Sequence, residues 1–216
     1  MPCSQVCYML EKERAPMQNR SRPLHVLAMA GSLRAASYNR GLLRAAKDVA
    51  PVDMIITIRD LAPIPLYNAD VEARGDPQPV AELKSVVGEA DALLLAVPEY
   101  NYGVSGVLKN TVDWLSRPPE HSVLRRKPAA LMGASLGMAG TARAQLQLRQ
   151  AFVYTQTWVL PPPPEILVAH AQEKFDAYGQ LIDEETRTRL GVLLEALATW
   201  TYRCLYTPDS RLVESR

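Results

Sequence analysis

From residue 24 onward the chain alternates short apolar runs with longer stretches in which apolar residues recur every three or four positions. The run at 24–30 is apolar except for His25 and ends in Gly-Ser, the pattern of a strand covered on both faces. Residues 37–50 place Leu42, Leu43, Ala46 and Val49 at helical spacing behind Ser37, a candidate N-cap. A second strand is predicted at 53–58, where β-branched residues cluster. A proline-rich loop at 62–79 leads to a helix around 80–88. The run at 91–97, with ALLLAV at its centre, predicts the most deeply buried strand, and Pro98 stops it. A helix at 106–116, a loop with Pro118 and Pro119, a fourth strand at 127–133 and a helix at 141–154 follow. Four prolines at 161–164 precede a short fifth strand at 165–168. A last helix at 183–202 carries Leu190, Val192, Leu193, Leu197 and Trp200.

Strand alternating with helix five times predicts one α/β domain with a parallel sheet. Right-handed crossovers leave few topologies, and five strands suit a flavodoxin-like three-layer sandwich of order 2-1-3-4-5 with helices on both faces. The domain is expected to span 24–206, with a tail at 207–216. Residues 1–23 lack the apolar core and cleavage site of a signal peptide and read as a disordered extension. A start codon set too early, with Met17 as the alternative start, is the other reading.

Composition narrows the function classes. The chain has 216 residues, about half of them hydrophobic, and a net charge of +1 without a polybasic block. Nothing there points to nucleic acid or a membrane surface, and no apolar run nears the roughly 20 residues of a spanning helix. Three cysteines, Cys3, Cys7 and Cys204, make a poor disulfide framework and suit a reducing cytoplasmic setting. The Cys3/Cys7 spacing has no second ligand pair to support a metal site, and His25, His121 and His170 have neither metal nor triad spacing.

In an open α/β sheet, ligands bind beyond the carboxyl ends of the strands where strand order reverses, here after the first and third strands. The loop after the first, GSLRAASYNR at 31–40, has neither the glycine pattern of a dinucleotide fold nor a Walker lysine. It offers hydroxyls at Ser32 and Ser37, the Asn39 amide, cations at Arg34 and Arg40, and a helix N-terminus. That set suits a terminal phosphate monoester; Ser37 and Asn39 as plain helix caps are the alternative. The loop after the third strand, PEYNYG at 98–103, delivers two aromatics, an amide and a carboxylate onto one turn, which suits a planar heteroaromatic ring. A turn whose tyrosines merely cover the strand end is the alternative.

GSLRAASYN followed by PEYNYGVSGVLKNTVDWLSRP resembles the signature pair of the NADPH-dependent FMN reductase family, which includes quinone, azo-dye and chromate reductases. The stretch GASLGMAGTARAQ at 133–145 is similar to a third family segment, and the resemblance covers 24 to about 182. It implies that Ser32, Arg34, Ser37 and Asn39 hold the FMN phosphate. Pro98, Glu99, Tyr100, Asn101, Tyr102 and Gly103 would line the ring, and Ser135 and Gly137 would close its far side. Leu136 and Met138 depart from the family pattern, which bears on acceptor preference. The resemblance also implies a homodimer or homotetramer, with the helix at 106–116 at the interface and Trp114 either there or in the core.

The implied reaction transfers hydride from NADPH or NADH through FMN to a small acceptor such as a quinone, a flavin, an azo compound or chromate, by a ping-pong mechanism. The chemistry is the cofactor's, so no protein triad is needed. Arg117, Arg125, Arg126 and Arg143 are candidates for the phosphates of the nicotinamide nucleotide. A non-enzymatic FMN electron carrier is the rival class, although such carriers tend to be strongly acidic. A sensor that kept the fold without cofactor, and an arsenic-resistance-type flavoprotein, are the further alternatives.

Overall fold

The first strand shows why the apolar runs are unbroken. Along β1 (Leu24–Ala30), Leu24, Val26 and Ala28 face one helical layer, whereas Leu27 and Met29 face the other. A computed structural model describes residues 22–206, and the expectations that fall on residues 1–21 and 207–216, Cys3, Cys7 and Met17 among them, lie outside the described residues. After β1 come α1 (Tyr38–Asp48), β2 (Met54–Arg59), the short α2 (Ala69–Glu72), α3 (Gln78–Glu89) and β3 (Ala92–Ala96). Then follow β4 (Glu99–Tyr100), β5 (Gly103–Val104), α4 (Gly106–Leu115), β6 (Pro128–Ala134) and α5 (Ala142–Tyr154). The chain closes with β7 (Trp158–Val159), β8 (Ile166–Val168) and α6 (Glu184–Tyr206).

One face of the sheet packs on α1 and α6 through Leu42, Leu43, Leu190, Leu193 and Leu197. The other packs on α3, α4 and α5 through Leu83, Val87, Leu108, Val112, Leu148 and Phe152. Each such leucine, fully buried, contributes about 1.5–3 kcal/mol. The three layers expected from the sequence are those observed.

All strand pairs of the main sheet are parallel, and the order β2-β1-β3-β6 matches the first four places of the expected topology. The fifth place differs. It is filled by two short strands, β7 pairing the start of β6 and β8 pairing its end, so the sheet has six strands rather than five. Between them lie the four prolines at 161–164, which have no N–H to donate to a ladder and force the strand out of the sheet. The second difference is the antiparallel hairpin β4–β5, where the sequence predicts a loop.

Helix α4 fastens the proline-rich loop before it. Asn110 accepts from Tyr67 N at 2.7 Å and donates to Pro65 O at 2.8 Å, and Trp114 Nε1 donates to the same carbonyl at 2.9 Å. Trp114 is fully buried and meets Tyr67 edge-on. Of its two expected places, the structure gives it the core.

Candidate functional site

The loops after β1, β3 and β6 gather at the carboxyl edge of the sheet, across the point where strand order reverses. Gly31 starts the first. Its N–H donates to Ala96 O and its carbonyl accepts from Ser105 Oγ, the cap of α4. A Cβ here would lie 2.5 Å from Ser105 Oγ and 2.8 Å from both Leu108 Cβ and Pro98 Cδ, so only glycine lets the three segments meet. Beyond it, the backbone N–H groups of residues 32–36 donate to none of the described residues. Ser37 caps α1 with its hydroxyl toward Arg40 N, and Arg34 is exposed beside this row with its guanidinium near the Tyr38 ring. A row of unpaired donors leading into a helix N-terminus, next to an exposed cation, has the chemistry that suits a phosphate-sized anion.

Asn39 is placed differently from its three neighbours in the motif. It is buried, its Nδ2 donates to Ala134 O at 2.9 Å, and its Oδ1 accepts from Ala134 N at 3.0 Å. The amide therefore clamps the start of α1 to the end of β6 and sets the spacing of the two loops that follow β1 and β6.

The stretch after β3 is a tight hairpin. Asn101 and Tyr102 both have positive φ, 50° and 66°, as the central residues of a two-residue type I′ turn require. Asparagine tolerates this region, but a tyrosine there costs about 1–2 kcal/mol. Side chains from α5 hold the turn in place. Glu99 accepts from Arg143 N at 3.1 Å, Ala144 N at 3.3 Å and Arg143 Nε at 2.7 Å. The Arg143 guanidinium also covers the Tyr102 ring at 3.9 Å, and Gln147 Oε1 accepts from Val104 N. Thr141, which begins α5, is in the left-handed region with φ 76° and makes no side-chain cap, so Glu99 supplies the cap from outside the helix. Gly103 lies against Gln147, with 2.8 Å left for a Cβ.

Tyr100 is half exposed, and its hydroxyl donates to Ser32 Oγ at 3.1 Å, joining the hairpin to the first loop. The third loop starts at Ser135, whose N–H and carbonyl are paired with Val168 and Ala171 and whose hydroxyl donates to Gly137 O. The N–H groups of residues 136–139 donate to none of the described residues, and Leu136 and Met138 stand out into solvent. All twelve residues singled out from the sequence thus gather at one edge. Ser32, Arg34 and Ser37 lie at the first loop, the hairpin residues beside them and Ser135 and Gly137 opposite, while Asn39 and Glu99 are committed to structural partners.

The four arginines considered for a nicotinamide nucleotide do not share a site. Arg125 and Arg126 directly precede β6 and pair with Gln156, and Arg117 follows the end of α4, so these three lie at the amino edge of the sheet. Only Arg143 is at the carboxyl edge. Gln147 and Ser105 were not anticipated; each bonds a backbone group far along the chain, which no local pattern signals.

Comparison with known proteins follows the same lines. The family model described as NADPH-dependent FMN reductase matches residues 24–173. An NAD(P)H-dependent FMN reductase of Pseudomonas aeruginosa is 46% identical over 183 residues, 85% of this chain and 98% of that protein. An NAD(P)H:quinone oxidoreductase of Solanum tuberosum is 43% identical over 179 residues, 81% of this chain and 91% of the relative. Among solved structures, a flavoenzyme NAD(P)H:(acceptor) oxidoreductase from Paracoccus denitrificans superposes with a TM-score of 0.75 at 32% identity, covering 83% of this chain and 98% of its own.

Proposed function

Since the chain belongs to the NADPH-dependent FMN reductase family, we propose that the carboxyl-edge loops bind FMN and that quinones and similar small molecules are its electron acceptors. Its activity is that of the family, oxidoreduction dependent on NAD(P)H with FMN as cofactor. The observation that carries the site assignment is the row of unpaired N–H groups at residues 32–36 beside Arg34. A phosphate dianion satisfies several such donors at once, and charge-assisted bonds of this kind contribute about 1.5–3 kcal/mol each.

Ser32, Arg34 and Ser37 hold the phosphate in this reading. Asn39 serves them as a positioning residue, because its amide is already bonded at both ends. Pro98, Tyr100, Asn101, Tyr102 and Gly103 line the ring, and Glu99 keeps their hairpin in register from below. Ser135 and Gly137 close the far side, where the free N–H groups of 136–139 offer donors to the ring's polar edge. Bound FMN supplies the centre that takes reducing equivalents from NAD(P)H and passes them on. The chain's own part is to orient that centre and leave one face open, bounded by the exposed Leu136, Met138 and Tyr102.

No helix among the described residues is long and apolar enough to cross a membrane. A cytoplasmic homodimer or homotetramer fits the reading. The visible spectrum of the purified protein, before and after anaerobic NADPH, tests it. A flavin spectrum that NADPH bleaches is expected; a flavin spectrum that NADPH leaves unchanged would favour an electron carrier, and failure to take up added FMN would remove the cofactor assignment.

A further inference from the structure

A second cleft opens at the same edge, on the α1 side of the sheet, between that helix and the end of β2. It encloses about 260 Å³, and Arg40, Arg44 and Arg59 face it with Asp60 the single acid among its lining residues. Ile58 supplies the apolar wall and is 42% exposed although it belongs to a strand, whereas Leu43 behind it is buried in the core. Three guanidinium groups against one carboxylate leave the cleft strongly positive, and its volume exceeds what one phosphate fills.

The partners that these arginines have are weak competitors. Arg59 pairs with Glu82 at 2.9 Å, but both side chains are largely solvated, and such pairs contribute little. Arg40 lies 3.9 Å from Asp60. Arg44 donates one N–H to Gly179 O at 2.7 Å, and a guanidinium has five. A phosphate dianion accepts from such groups in the bidentate manner that arginine favours.

We propose that this cleft binds the adenosine 2′-phosphate end of NADPH, with the phosphate on Arg44 and Arg59 and the base against Ile58. The proposal rests on the oxidoreductase reading and adds the basis of donor choice. The cleft adjoins the site, because Ser32 lines it and also accepts from Tyr100 of the hairpin. The proposal requires a donor that spans from the open ring face, past the first loop, to this cleft. The amino-edge arginines 117, 125 and 126 are on the wrong side of the sheet for this task.

Titration calorimetry of the FMN-loaded protein with adenosine 2′,5′-bisphosphate and with adenosine 5′-monophosphate tests the assignment. The bisphosphate is expected to bind at least roughly tenfold more tightly, and Arg44→Ala and Arg59→Ala should each reduce that preference by about tenfold. The KM ratio of NADPH to NADH should rise in both variants. Equal binding of the two nucleotides by the unaltered protein, or a preference that neither substitution changes, overturns the proposal. Fluorescence titration with FMN, run alongside, keeps the readings apart, since loss of FMN binding would strike the cofactor site and not the nucleotide cleft.

Discussion

Glu99 and Arg34 separate two kinds of polar residue at the same edge. The Glu99 carboxylate is spent on the first N–H groups of α5 and on the Arg143 side chain. Replacing it with alanine should cost about 1–2 kcal/mol of stability, as loss of a helix cap does, and should also release the hairpin. Urea denaturation is expected to show the first effect and a several-fold weaker FMN affinity the second; unchanged FMN affinity would mean the hairpin holds its shape without this clamp. The Arg34 side chain makes no comparable structural bond, its one described contact being with the Tyr38 ring. Arg34→Ala should therefore fold normally and lose FMN on gel filtration, with activity largely recovered in excess FMN. A defect that saturating FMN does not repair would give Arg34 a part in the reaction itself.

At the scale of elements, contacts between segments decide what single substitutions do. Gly31→Ala would force apart β1, Pro98 and the first turn of α4 at one point. Overpacking of this kind costs about 1–3 kcal/mol, and reduced FMN binding should accompany the loss of stability seen in a thermal melt. The start of α6 offers a test by pH. Asp183 accepts from Lys174 Nζ at 2.6 Å and from the Thr186 N–H and hydroxyl, and these bonds, Lys174 first, lower its pKa to about 2. The unfolded value is about 3.9, so the stabilisation is complete above that pH and is lost as pH falls toward about 2. Asp183→Ala should be less stable than the unaltered protein at pH 7, and the gap should close through that acid window. The apolar periods were legible in the sequence because each face of the sheet is covered, whereas the split of the fifth strand was not. Four prolines announce a break, but only the pairing along β6 shows that the chain returns to the same strand.

For the whole molecule, the proposed single open face predicts that donor and acceptor exclude each other. Initial rates with NADPH and benzoquinone should give parallel double-reciprocal lines; intersecting lines would mean that both substrates bind together. With the phosphate assigned to the first loop, FMN should bind far more tightly than riboflavin, and equal affinities by fluorescence quenching would undo the assignment of residues 32–37. Leu146, Val153 and Tyr154 on α5 are exposed, and with Tyr102 and Met138 they leave much apolar surface uncovered. Light scattering of the FMN-loaded protein is expected to return a dimer or larger, and a monomer at micromolar concentration would remove the assembly while leaving the cofactor site intact.

Local periodicity and turn chemistry are properties of neighbouring residues, so the sequence by itself determined the α/β alternation, the buried strands and the edge to which the site is assigned. It also marked two candidate loops, by the hydroxyls, amide and tyrosines directly after buried strands. Only the tertiary structure decided what each polar group is free to do. Asn39 and Glu99 read as ligand contacts within their motifs, yet their partners are Ala134 and the start of α5, distant in sequence and adjacent in space. Arg40 read as a cation of the first loop, and Arg44 and Arg59 carried no reading, until α1 and the end of β2 are brought together. A buried polar group is committed by whatever the fold places within hydrogen-bond reach, and that is set by packing across layers rather than by order along the chain.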